Sequence, residues 1–125
     1  MGPDLPVYLC GVHALGFAVF HLGFWKIFDW PRSLQTTSLA NRAVIQILNQ
    51  RLTWVLLGVA AACFVFPDTL RTTPFGQAFL GFMALFWVGR TIEQVVFLRV
   101  NHAGVHALTV LFVIGALLFG WALVG

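Results

Sequence analysis

The sequence predicts an all-α integral membrane protein: a bundle of four transmembrane helices with both termini on the outer side. Three observations carry that expectation. Of the 125 residues, 60% are hydrophobic and 9% charged, against roughly 25% charged in an ordinary soluble domain. Four apolar segments each approach the roughly 20 residues that a spanning helix requires. Basic residues gather on the connections of one side. Seven Lys/Arg and four Asp/Glu cannot cover the surface of a water-soluble domain. A disordered chain and a disulfide-rich secreted module are excluded on the same composition. The isoelectric point near 9.5 comes from scattered basic residues rather than a basic run, so nucleic acid is not an expected partner; the lipid bilayer is.

The first span is predicted over about 6–28. It holds His13 and His21 and ends in Trp25-Lys26-Ile27-Phe28-Asp29-Trp30, an interfacial pattern of aromatic rings and a snorkelling lysine. Pro31 is expected to stop it. No positively charged stretch precedes it, so it reads as a retained span rather than a signal peptide. The polar connection that follows offers Ser38 or Asn41 as the cap of the next helix.

The second span is harder to place. The clean apolar stretch Leu52–Phe66 covers only about 22 Å of a hydrocarbon core about 30 Å thick. The helix is therefore extended back to about Ala43, giving 43–66 and drawing Gln46, Asn49 and Gln50 into the membrane. Residues 67–74 read as a short loop bounded by Pro67 and Pro74. The third span covers about 75–100 and carries Arg90, Glu93 and Gln94. The fourth covers about 103–124, after a tight turn. No repeat or linker interrupts the chain, so 1–125 reads as one membrane domain. Lys26, Arg32, Arg42, Arg51 and Arg99 flank the connections after spans one and three, and Arg71 alone lies on the other side. This bias puts the termini outside.

With that orientation the polar residues form a layer in the inner half. Gln46, Asn49, Gln50 and Thr53 read as one stripe, and Arg90, Glu93 and Gln94 share a face at i, i+3 and i+4. Buried in hydrocarbon, such groups are expected to face the bundle interior, with Arg90 and Glu93 interacting as a pair. The layer is open to two readings. It fixes helix register in a structural or scaffold protein that binds a membrane-protein partner or a second copy. Alternatively it is a vestibule, in which Glu93 accepts a proton or cation and Arg90 holds an anionic lipid or substrate group, as in a small transporter.

The four histidines add a third reading. His21 and His106 fall at similar depths and could ligate haem b from opposite sides. His21, Glu93, His102 and His106 could instead ligate a metal ion. His102 at an interfacial turn, and the lack of any segment like the haem-ligand motifs of respiratory membrane-anchor subunits, argue against both, so no cofactor is expected. Cys10 and Cys63 fall at a common depth, but their apolar neighbours predict two free thiols. Aromatic stripes such as Phe17, Phe20 and Phe24 read as packing, and Gly58/Ala62 and Ala103/Ala107 as small-residue pairs for close helix approach. No Ser-His-Asp set, phosphate-binding loop or carboxylate pair is evident, so catalysis is not expected.

Two segments, Asn41-Arg-Ala-Val-Ile-Gln-Ile-Leu-Asn49 and Phe86-Trp-Val-Gly-Arg-Thr-Ile-Glu-Gln-Val-Val-Phe-Leu-Arg99, resemble a family of small, uncharacterised bacterial four-helix integral membrane proteins. The resemblance implies a multi-pass protein of the bacterial inner membrane and brings no activity with it. The polar third span ending in Arg99, and Arg51 shortly before Trp54, are more distantly similar to the four-helix membrane scaffold family of ergosterol biosynthesis. That likeness implies a tethering role without catalytic residues.

Overall fold

The computed structural model describes residues 2–125. After a single 3-10 turn at Gly2–Asp4, the helices are α1 (Leu5–Leu22), α2 (Phe24–Ile27), α3 (Trp30–Ser33), α4 (Leu39–Val65), α5 (Pro67–Thr72), α6 (Pro74–Phe97) and α7 (Ala103–Val124). Four helical segments are long and apolar enough to cross a membrane: 2–22, α4, α6 and α7. Both termini lie at one end of the bundle. Asp4 pairs there with Arg71 of α5 at 3.2 Å, and Leu123 approaches Gly81 near the start of α6. The other end, called here the far end, carries α2, α3 and the α6–α7 turn.

Local chemistry explains most helix limits. Pro6 sits in the first turn of α1, where its missing N–H costs nothing. Gly23, not Pro31, ends α1; glycine weakens the helix where a run of bulky aromatics must turn aside. Pro31 instead occupies the first turn of α3. The turn between α2 and α3 uses Asp29 at φ 50°, a left-handed conformation that Asp tolerates better than most residues. Ser38 caps α4, its hydroxyl accepting from the Asn41 N–H at 3.2 Å. α4 therefore starts four residues before the expected Ala43, and α6 ends at Phe97 rather than at residue 100. Thr73 caps α6, accepting from the Gly76 N–H at 3.0 Å. The expected loop 67–74 is largely the helix α5. Its Leu70 is buried, and its Arg71 bridges Asp4 and Asp68 at 3.2 and 3.1 Å.

The helices pack in the order α4, α1, α7, α6, with α5 folded against the start of α6. α1 is the central element. Its buried face runs Val7, Cys10, Ala14, Phe17 and Ala18, mostly small residues that admit close neighbours. A Cβ on Gly11 would lie 2.9 Å from the Phe64 ring and 3.1 Å from Cys63 Cβ, so α4 approaches closely there. Gly76 is more tightly constrained still, because a Cβ would run into the backbone of Thr69 and Leu70. The expected small-residue pairs do not serve this purpose. Gly58, Ala103 and Ala107 are exposed, and a Cβ on Gly58 meets open space. Cys10 and Cys63 are both free and fully buried between α1 and α4.

The tightest seat between two spanning helices is Gly115 on α7. A Cβ there would stand 2.5 Å from His13 Cε1 and 2.9 Å from Trp87 Cγ, so the two rings occupy the space that glycine leaves. Gly115→Ala is expected to lower the thermal unfolding temperature in detergent, by the overpacking cost of about 1–3 kcal/mol less the alanine helix preference of about 1 kcal/mol. Gly120→Ala, on the same helix but facing open space, should leave it unchanged or raise it. Equal effects at the two positions would contradict the notch.

Candidate functional site

The inward stripe of α6 is Leu80, Met83, Trp87, Arg90 and Gln94, spaced 3, 4, 3 and 4. Leu80, Met83, Trp87 and Gln94 are buried and Arg90 is half-buried. Glu93 lies roughly 100° from the centre of that stripe at 3.6 residues per turn, and it is exposed. The same geometry acts on α4. Asn49, Thr53, Leu56, Ala60 and Cys63 define its buried face, which leaves Gln50 roughly 100° away and exposed. The expected stripes thus split. Asn49, Arg90 and Gln94 turn inward; Gln50 and Glu93 do not.

α4 and α6 do not pack against each other along their length. The space between them, running from mid-bundle to the far end, is a cavity of about 400 Å³. Its wall is mostly hydrocarbon and aromatic: Phe17, Phe20, Phe24, Phe86, Leu52, Leu56 and Phe112, with Phe28 and Trp30 at the far end. Five polar side chains join them: His21, Asn49, Trp87, Arg90 and Gln94.

Arg90 is the charged member. Its guanidinium carbon stands 4.6 Å from the centroid of the Phe112 ring, a cation–π contact. The ion pairs among the described residues join Asp29 to Arg32, and Asp4 and Asp68 to Arg71. The expected close Arg90–Glu93 pair is therefore corrected: Glu93 is exposed, its carboxylate acts on Arg90 only at longer range, and no carboxylate lines the cavity that the guanidinium enters. Trp87 sets this geometry. Its ring lies 4.7 Å from His13, 4.9 Å from Phe17 and 5.7 Å from Phe112, centroid to centroid. One turn of helix then carries Arg90 to the edge of that aromatic cluster.

The amides are held from outside the cavity. Asn49 Nδ2 donates to the His21 carbonyl at 2.9 Å, joining α4 to α1, and Gln94 Nε2 donates to the Val105 carbonyl at 3.3 Å, joining α6 to α7. Gln46 lies just beyond, accepting from Trp25 Nε1 at 2.8 Å and donating to the Arg42 carbonyl at 3.1 Å. It ties α2 down onto α4 and does not line the cavity. His21 Nδ1 meets the Phe17 carbonyl at 2.6 Å. A carbonyl only accepts, so Nδ1 carries the proton and Nε2 of the neutral ring is an acceptor.

The histidine readings separate in space. His102 caps α7, its Nδ1 accepting from the Gly104 N–H at 2.9 Å, and His106 Nε2 meets Asn101 Oδ1 at 2.9 Å; both are exposed. Among the described residues no three His, Cys, Asp or Glu side chains converge on one point. The set His21, Glu93, His102 and His106 is therefore not assembled. His21 lines the cavity between α4 and α6, whereas His106 lines a neighbouring depression along the α6–α7 turn, on the other side of Gln94 and Leu98, so the two do not line one cavity as a haem pair would. Sequence reasoning passed over Trp87, Phe112 and Gly115. The 3-4-3-4 spacing around Trp87 was the available signal for the first.

With no close Arg90–Glu93 ion pair, a double-mutant cycle on unfolding in detergent should give a coupling no larger than the roughly 0.2–0.5 kcal/mol of an exposed i, i+3 pair. Arg90→Met alone should stabilise the lipid-stripped protein, because it removes an uncompensated charge. A coupling above about 1 kcal/mol would restore the pair.

Family models give no match to this chain, and neither curated proteins nor solved structures give a similar one.

Proposed function

We propose that the protein is a multi-pass membrane protein that binds an anionic amphiphile between α4 and α6, with Arg90 as the residue that holds the anion. The observation carrying this reading is the unpaired guanidinium of Arg90 in a cavity whose wall is otherwise mostly apolar. A charge at membrane depth is costly unless compensated, and intramembrane ionisable residues mark ligand sites more often than not. An amphiphile satisfies both parts of the wall. Its anion meets Arg90, and its chain meets the phenylalanines and leucines and leaves through the gap between α4 and α6. A cavity of about 400 Å³ falls in the 300–1,000 Å³ range of small-molecule sites.

The bias of Lys26, Arg32, Arg42, Arg51 and Arg99 toward the far end favours the termini on the outer side of a bacterial inner membrane. The ligand is then drawn from the cytoplasmic leaflet. A second reading, a bundle that docks a membrane partner, is favoured by Gln50 and Glu93, which turn polar groups away from the core.

Dodecyl methyl phosphate, an anion with no hydrogen-bond donor, is the direct probe. Added to the lipid-stripped protein in a neutral maltoside detergent, it should raise the unfolding temperature, with about 2.7 kcal/mol gained at a hundredfold excess over Kd. Arg90→Met should abolish the gain and Arg90→Lys should retain part of it. A gain that survives Arg90→Met would overturn the assignment. The orientation is tested separately: a reporter fused after Val124 should be active only when its activity requires the outer side.

A further inference from the structure

The residues that line the cavity carry more buried acceptors than an anion can use. Asn49 and Gln94 are only 6% and 2% exposed, and both line the cavity beside Arg90. Each amide nitrogen is committed to a backbone carbonyl, His21 O or Val105 O. That commitment fixes the amide orientation, since a nitrogen must face the carbonyl. What remains on each side chain is an oxygen, and Asn49 Oδ1 and Gln94 Oε1 are both buried without a partner. His21 Nε2 is a third acceptor, by the argument from its Nδ1 bond. Trp87 Nε1 is the one buried donor without a partner that lines the same space. Buried polar atoms are nearly always hydrogen-bonded. An anion alone would satisfy Arg90 and Trp87 and leave the oxygens stranded.

Resting on the amphiphile reading, we infer that the bound head group joins its anion to neutral hydroxyl donors: a phosphoglycerol head, whose phosphate meets Arg90 and Trp87 and whose hydroxyls donate to Asn49 Oδ1 and Gln94 Oε1. Charge selects this head over a phosphoethanolamine. The ammonium would bring a second cation into a wall that holds Arg90 and no carboxylate. Size agrees. A cavity of about 400 Å³ admits a glycerophosphate head beside Arg90 together with the first part of the chain against the apolar wall. The acyl chain therefore continues outward between α4 and α6.

The test is calorimetric titration of the whole protein in neutral detergent with two matched phosphodiesters. Dodecylphosphoglycerol and dodecyl methyl phosphate carry the same charge and chain and differ in the hydroxyls. The glycerol ester should bind at least tenfold tighter, because a site with buried acceptors rejects the analogue that lacks the donor. Gln94→Met should bring the glycerol ester close to the methyl ester, so the ratio of the two affinities in the one variant, rather than either affinity alone, reports the lost acceptor. If that variant does not fold, the two ligands on the unaltered protein decide the matter. Equal, Arg90-dependent binding of both esters overturns the head-group assignment and leaves the amphiphile reading standing. Binding of neither overturns both. Dodecylphosphoethanolamine binding as tightly as the glycerol ester would also overturn it.

Discussion

The seating of Trp87 against Gly115 is the contact from which the rest of the bundle's geometry follows. Three helices meet there: α1 supplies His13 and Phe17, α6 supplies Trp87, and α7 supplies Gly115 and Phe112. In hydrocarbon no hydrophobic force presses helices together, so packing, hydrogen bonds and close backbone approach must do so. A glycine that lets an indole and an imidazole lie against the helix backbone supplies the first and third. The hydrogen bond is also present, from His13 Nε2 to the Leu111 carbonyl at 2.9 Å. With Trp87 fixed, the rotation of α6 is fixed, and Arg90 and Gln94 follow into the interior.

The cavity is the other side of the same arrangement. α1 meets α4 across small residues, Gly11 and the two cysteines among them, and those helices close up. α6 is held out by the large rings it shares with α1 and α7, so it does not reach α4. The bundle therefore packs tightly on one side and gapes on the other. Its far end is covered by α2 and α3, which the Trp25–Gln46 bond anchors to α4. A gap lined by hydrocarbon alone would be filled by a lipid chain without selectivity. Arg90, Asn49 and Gln94 make this one chemically particular.

The polar residues divide by the work they do. Gln46, His102 and His106 hold local structure, as a bridge, a cap and a turn contact. Asn49 and Gln94 do this with their nitrogens and have an oxygen to spare. Arg90 has the face of Phe112 and, at longer range, the charge of Glu93, with no ion pair or hydrogen bond among the described residues. A side chain that stabilises nothing obvious in the fold, at a position where its charge is unfavourable, is the one most readily explained by a ligand.

Composition and hydropathy alone determined the class of this protein: four apolar helices, with polar residues concentrated toward one end. Local chemistry in the sequence also narrowed the cap of α4 to Ser38 or Asn41, and the structure chose Ser38. Facing was less legible. Gln50 next to Asn49, and Glu93 next to Gln94, differ from their neighbours by one residue, about 100° of helix, and polarity does not say which of two adjacent polar residues turns inward. That choice came from Leu56, Ala60 and Cys63 on α4 and from Trp87 on α6, whose burial sets the rotation. The notch at Gly115 was not legible either, since nothing in the sequence near Gly115 announces that His13 and Trp87 will meet there. Only the tertiary structure brought those distant residues together, and with them left Arg90 facing a cavity rather than its neighbour Glu93.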